Sequence, residues 1–221
     1  MREVKNTKLI SISGKMGSGK DTAGEIIKDL LEENVGPYWD IKKFASGVKE
    51  VASLILGIDV LQFENQEFKN SYLPECWNTY KAVFTDRSDF HGWEVETNRM
   101  TVREFLQKLG TEAMRDGLHE DVWVNKLMRE YEYYNKMVPH VDDKSFPRWI
   151  ITDTRFPNEY AALKEKGALF IKIERPGLEL NNHPSETSLD NHEFDNIVDN
   201  SGNLYSLKEK LKRILVFEDY M

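Results

Sequence analysis

Ser13-Gly14-Lys15-Met16-Gly17-Ser18-Gly19-Lys20-Asp21-Thr22 decides the fold of this 221-residue chain. The apolar run Leu9-Ile10-Ser11-Ile12 precedes it and a helical pattern follows, so strand, glycine-rich turn and helix come in that order. A phosphate-binding loop needs this context. Glycines at 14, 17 and 19 let the backbone take positive φ and approach a ligand closely. Successive N–H groups can then face phosphate oxygens, and the helix N-terminus adds about half a positive charge at the same place. Gly14, Lys15, Gly17, Ser18, Gly19, Lys20, Asp21 and Thr22 are therefore the candidate residues for a nucleotide triphosphate, with Lys20 as a mobile cation for the β- and γ-phosphates.

The stretch departs from G-x-x-x-x-G-K-[ST] at one letter. Asp21 stands where a hydroxyl would serve Mg²⁺, and Thr22 comes one residue later. Either the Asp21 carboxylate approaches the metal, directly or through water, or Thr22 replaces the missing hydroxyl. The sequence leaves both open.

Composition narrows the classes. The hydrophobic fraction of 40% and charged fraction of 31% suit a soluble domain with a lobe inserted into it. No apolar run approaches the roughly 18 residues that span a bilayer, and Met1 to Asn6 lacks the apolar core of a signal peptide. The single cysteine, Cys76, cannot form an internal disulfide, which fits a reducing cytoplasm. A net charge of −8 argues against long nucleic acid as a partner and leaves small phosphorylated ligands open. The expected chain is a monomer or homodimer that binds small-molecule nucleotides.

After the loop, Ala23, Ile26, Ile27, Leu30 and Leu31 recur at helical spacing, and Tyr38 to Phe44 reads as a second strand. A helix opens at Ala45. Ser46 and Lys49 near its start are either acceptor-phosphate contacts or an N-cap and a solvated lysine. Gln62 to Met100 is irregular and carries Trp77, Tyr80, Phe84, Phe90 and Trp93; it is expected to form an inserted lobe or covering loop whose aromatics pack as core, with substrate stacking on one of them as the alternative. Thr101-Val102-Arg103-Glu104 is a capping box. Arg103 and Gln107 are four apart and share a helix face, so a guanidinium fork suited to phosphate lies beside an amide suited to a base edge. Thr111 and Arg115 extend the acceptor-binding candidates, and Gly110-Thr111 either interrupts the helix or permits close packing.

Arg148-Trp149-Ile150-Ile151-Thr152-Asp153 is an apolar strand ending in a carboxylate, placed to hold Mg²⁺ or its waters at the C-terminal edge of a parallel sheet. Arg155 emerges at the same edge, and Arg175 follows the next strand, Ala168 to Glu174. With Lys20 and Asp153 these arginines form the candidate catalytic set; Asp21, Thr22 and Asp153 form the metal set. The polar stretch of about 175–190, with His183 and Glu186, reads as a lid-like loop, and a metal site from His183, Glu186 and His192 is a weaker alternative. A short strand to Val198 and an amphipathic helix from Leu204 close the chain. The alternation of strands and helices implies an α/β fold of the P-loop type. Its open parallel sheet carries helices on both faces, and a helical substrate-binding lobe is inserted at about 45–135.

The chain resembles the deoxynucleoside monophosphate kinases of tailed bacteriophages. The resemblance rests on Ile12-Ser13-Gly14 with Gly17-Ser18-Gly19-Lys20-Asp21-Thr22, on Leu106-Gln107-Lys108-Leu109-Gly110-Thr111-Glu112 followed by Trp123, on Asp153-Thr154-Arg155, on Arg175-Pro176-Gly177, and on the His183/Glu186 pair. It covers most of the chain outside Gln62 to Met100. It implies a nucleoside-monophosphate-kinase fold, transfer of phosphate from ATP with Mg²⁺ to a deoxynucleoside monophosphate, and the cytoplasm of an infected bacterium.

Overall fold

The computed structural model describes residues 8–36, 38–87, 89–137, 147–178 and 187–221. In chain order the elements are β1 (Leu9–Ser13), α1 (Lys20–Asn34), β2 (Trp39–Lys42), α2 (Ala45–Leu56), α3 (Gln66–Asn70), β3 (Thr79–Arg87), β4 (Phe90–Asn98) and α4 (Val102–Gln107). Then come α5 (Val122–Met137), β5 (Arg148–Ile151), α6 (Pro157–Glu165), β6 (Leu169–Glu174), β7 (Asn196–Asp199) and α7 (Leu204–Phe217). They fall into two compact units, one of Met1–Ser46 with Asp121–Met221, the other of Gly47–Glu120.

The first unit holds a five-stranded sheet in the order β2-β5-β1-β6-β7, every pair parallel. Strand residues alternate between its faces. On one face Ile10, Ile12, Ile150, Leu169, Ile171 and Ile173 pack with Ala23, Ile26, Ile27, Leu30 and Leu31 of α1 and with Leu207, Leu211 and Leu215 of α7. On the other, Trp149 meets Tyr131 of α5 at a centroid distance of 5.1 Å, and Phe170 meets Tyr160 of α6 at 4.2 Å. Helices thus cover both faces, as the strand–helix alternation requires. All five residues of β1 are buried, so the strand feeding the glycine-rich loop is fixed on both sides. Because the strands are parallel, Gly14, Lys43, Asp153, Arg175 and Asn200 all follow strand C-termini at one sheet edge.

The second unit has its own core of Ala52, Phe63, Leu73, Val102 and Phe105, with Trp77 edge-on to Phe105 at 5.2 Å. The capping box of α4 forms in full: Glu104 N donates to Thr101 Oγ1 (3.2 Å), and Thr101 N donates to Glu104 Oε2 (2.7 Å). The helix is not interrupted at Gly110. It widens into a π-helical stretch over Lys108–Asp116, and Gly110 lies so close to α2 that a Cβ there would meet Val48 Cγ2 at 3.2 Å.

The aromatic-rich segment corrects an expectation. Thr79–Arg87 and Phe90–Asn98 form a two-stranded antiparallel ribbon in which Phe84 pairs with Trp93. Tyr80, Phe84 and Trp93 are 64%, 48% and 71% exposed, so they are not core residues, whereas Trp77 packs inward against the second unit's core. Period-two alternation places Tyr80, Ala82, Phe84, Trp93 and Val95 together on one ribbon face. No helix among the described residues is long and apolar enough to cross a membrane.

Candidate active site

The loop from Gly14 to Gly19 joins β1 to α1 as a tight cradle. Gly17 and Gly19 take φ of 81° and 94°, a region open to glycine and strained for other residues. Gly14 is required by space: a Cβ there would meet Ser18 Oγ at 2.5 Å and Ile173 O at 2.6 Å. Ser18 N donates to Lys15 O (3.0 Å), which closes the turn. Lys20 opens α1 and is only 7% exposed. Ser18 is 1% exposed and its hydroxyl has no hydrogen-bond partner among the described residues. Among the described residues the Gly17 and Gly19 amides have none either. An unpaired buried hydroxyl, unpaired amides and a lysine at a helix N-terminus fit a phosphate group, which would satisfy all of them.

Asp21 is tied to two neighbours that follow strands. Lys43 Nζ lies 2.9 Å from its Oδ1, and Thr152 Oγ1 donates to the same oxygen at 3.2 Å. Burial alone would raise its pKa, but the Lys43 hydrogen bond and charge, the Lys20 charge and the Thr152 hydroxyl together hold it below the usual carboxylate range. Its Oδ2 makes no hydrogen bond among the described residues, so one oxygen remains for a cation. Thr22, one residue on, is exposed.

Asp153 lies where the sequence places it, beyond β5, but both of its oxygens are engaged. Phe44 N donates to Oδ1 (2.8 Å) and Ala45 N to Oδ2 (2.9 Å), so the carboxylate caps the start of α2. Burial pushes its pKa up, against the pull of those two amides, Arg155 and Lys43. Each oxygen keeps a second lone pair for a metal-bound water. Ser46, in the first turn of α2, donates its own N–H to Lys43 O at 3.2 Å.

Arg155 lines a cleft with Ser13, Gly14, Lys15 and Lys172, so three cations gather beside the loop. Lys15 faces Asp190 at 3.8 Å and Lys172 faces Glu174 at 3.0 Å. Arg175 is exposed just after β6.

In the Gly47–Glu120 unit, Arg103 Nε donates to Asn70 Oδ1 (3.1 Å) and Nη2 to Gln66 Oε1 (2.9 Å). These partners are neutral amides; they orient the guanidinium without cancelling its charge. Gln107 is exposed one turn on, Thr111 is half-buried in the π-helical stretch, and Arg115 is buried. Lys49 forms an ion pair with Glu64. His183 and Glu186 lie outside the described residues, as does most of the expected lid-like loop; the alternative metal site with His192 therefore has no geometry here. No cluster of three or more acidic, histidine or cysteine side chains suited to a metal occurs among the described residues.

Three residues at the site escape sequence reasoning. Lys43 follows an unremarkable strand. Glu159, 3% exposed, accepts from Arg155 N (2.8 Å) and Phe156 N (3.1 Å) and so fixes the backbone that carries Arg155; its signal is Pro157 at a helix start with an acid two residues later. Asn200 Nδ2 donates to Ser18 O (2.8 Å); its signal is a polar, glycine-containing stretch just beyond a strand at the same edge.

The sequence model of the deoxynucleotide monophosphate kinase family matches residues 49–211. A protein of Acanthamoeba polyphaga mimivirus named for the same activity is 31% identical over 190 residues, covering 82% of this chain and 81% of its own. The deoxynucleotide monophosphate kinase of Enterobacteria phage T4 is 25% identical over 252 residues, covering 94% and 98%. A dephospho-CoA kinase of Staphylococcus epidermidis is 22% identical over 221 residues, covering 97% of each. With a glycine-rich strand–loop–helix at the edge of a parallel sheet and a family match over most of its length, the chain belongs to the deoxynucleotide monophosphate kinase family.

Proposed function

We propose that the protein transfers the γ-phosphoryl group of ATP to a deoxynucleoside monophosphate, giving the diphosphate and ADP. One observation carries the reading: the buried, unpaired Ser18 hydroxyl and the unpaired Gly17 and Gly19 amides beside Lys20, in a chain of this family. Residues 14 to 20 hold the ATP phosphates. An oxygen of the acceptor's phosphate attacks the γ-phosphorus, and the bond to the β-phosphate oxygen breaks. The acceptor is already an anion, so no strong base is needed, and positioning with charge stabilisation supplies the rate.

Mg²⁺, when bound, neutralises β- and γ-phosphate oxygens; Asp21, Thr22 and Asp153 are the side chains that would hold it or its waters. Lys20, Arg155 and Arg175 offset the charge that builds on the transferring group, and one such arginine is worth about 10³ to 10⁵ in rate in related chemistry. Arg103 binds the acceptor's phosphate and Gln107 its base edge, with Ser46, Lys49, Thr111 and Arg115 in support. The acidic net charge of −8 suits a small-nucleotide substrate better than a long nucleic acid.

The test is a coupled ADP-release assay with ATP and Mg²⁺ against each deoxy- and ribonucleoside monophosphate. ADP formed with particular deoxynucleotides, together with the matching diphosphate, is the expected result. The likeness to a dephospho-CoA kinase favours one second reading, a non-nucleotide phosphorylated acceptor. Release that responds to dephospho-CoA and to no nucleotide would establish it.

A further inference from the structure

We propose that Asn200 is a positioning residue for phosphate binding: its side-chain amide aims the Gly19 N–H into the cradle. The proposal rests on the reading of residues 14 to 20 as the ATP-phosphate site. Asn200 leaves β7 and is tethered to the neighbouring strand, because its own N–H donates to Glu174 O at 2.7 Å. From there its Nδ2 reaches Ser18 O at 2.8 Å.

The Ser18 carbonyl and the Gly19 N–H belong to one peptide plane. No cis peptide bond occurs among the described residues, and in a trans peptide the C=O and N–H point to opposite sides. Holding the carbonyl toward Asn200 therefore holds the Gly19 N–H away from it. That N–H has no partner among the described residues.

An anchor is needed because glycine populates both signs of φ with little preference. Gly19 sits at φ 94°, so the preceding peptide plane can turn over at low cost unless one end is fixed. The contact is also close: a Cβ on Gly19 would lie 2.5 Å from Asn200 Nδ2. Glycine at 19 thus serves the anchor as well as the turn. The turned plane would present the Ser18 carbonyl, an acceptor with partial negative charge, where a donor is wanted by the phosphate.

The decisive comparison is Asn200→Asp, which keeps the shape but replaces the donor NH₂ by an oxygen facing the carbonyl, against Asn200→Ala. ADP affinity measured by calorimetry should fall about tenfold or more in both variants, with Asp at least as severe as Ala, since a hydrogen bond to a charged phosphate is lost. The KM for ATP should rise in parallel while the KM for the acceptor stays unchanged. A merely space-filling side chain predicts that Asp restores wild-type affinity, and that result overturns the proposal. Lys20→Ala is the control for the underlying reading. If it too leaves ADP binding intact, the phosphate site itself is misassigned; if it weakens ADP and Asn200→Asp does not, only the Asn200 proposal fails. Should either variant fold poorly, the wild-type protein still decides by NMR. The Gly19 amide proton should move downfield on adding ADP, and no movement overturns the aim assigned to it.

Discussion

Lys43 Nζ stands 2.9 Å from Asp21 Oδ1, so the residue that breaks the phosphate-loop pattern is neutralised by a lysine from the end of β2. An uncompensated carboxylate beside a triphosphate would repel it. In Lys43→Met the local charge becomes one unit more negative. At an effective dielectric near 20 that is worth on the order of 1 kcal/mol or more, hence about tenfold in affinity. Metal-free ATP should lose more affinity than MgATP, because the metal offsets part of the triphosphate charge. Calorimetry with Mg²⁺ and with chelator reads the difference; equal losses in the two would show that Lys43 does not balance charge there.

The same contact sets a pH dependence. Asp21 has a folded pKa below its unfolded value, so the stability it contributes is fully present above about pH 4 and disappears as pH falls through the lower folded value. Asp153 acts in the opposite sense: its folded pKa is raised, so it costs stability as pH rises from its unfolded value through the folded one. Asp21 is a largely exposed partner, so its contribution stays within about 1 kcal/mol. The melting temperature of Asp21→Asn should fall below wild type at neutral pH and converge with it as pH falls below the usual carboxylate range. A gap that persists unchanged into acid would mean that the Asp21 charge is not what stabilises the fold.

The sheet unit is legible because its signals are local. Five buried residues in a row at Leu9–Ser13, the glycines after them, and the helical spacing of Ala23 to Leu31 each belong to one element. The ribbon from Thr79 to Asn98 is obscured because its alternation is aromatic against charged rather than apolar against polar core, and an exposed face leaves no burial signal in composition. The site is half legible for a related reason. Lys20, Asp21 and Asp153 stand in contiguous motifs. Lys43, Glu159 and Asn200 act across 22, 4 and 182 residues of separation or through backbone atoms, and only the strand order brings the distant ones together.

Gly24 tests the packing that places those edges. A Cβ at Gly24 would lie 2.4 Å from Thr152 Cγ2, and both residues are buried. Gly24→Ala gains about 1 kcal/mol in helix propensity but costs about 1–3 kcal/mol in overpacking, so a net loss of stability is expected. Thr152→Ser removes the methyl group and keeps the hydroxyl that binds Asp21. The double variant should recover more than additivity allows, measured by denaturant unfolding. Simple additivity would show that the helix and the strand end are not in contact.

Lys20→Ala removes the one lysine at the start of α1, where the cradle's unpaired groups converge. Loss of preorganised charge at a transferring phosphoryl group costs about 10²-fold or more. Turnover should fall by at least that factor while the melting temperature stays within a few degrees. Near-wild-type turnover in a folded variant would remove Lys20 from the reaction.

Arg103 and Gln107 should separate phosphate binding from base choice. Arg103 is held by Gln66 and Asn70 through a planar fork, and lysine cannot reproduce two directed bonds to two amide oxygens. Arg103→Lys should therefore raise the KM for every deoxynucleoside monophosphate by a similar factor, about tenfold, and leave the KM for ATP alone. Gln107→Ala should instead change the ranking among bases, because an amide recognises a hydrogen-bonding edge that differs between them. Steady-state kinetics against all four acceptors resolves the two patterns. A uniform effect of Gln107→Ala with an unchanged ranking would assign Gln107 to the phosphate or to no ligand, and a rise in the KM for ATP in Arg103→Lys would move that arginine to the donor side.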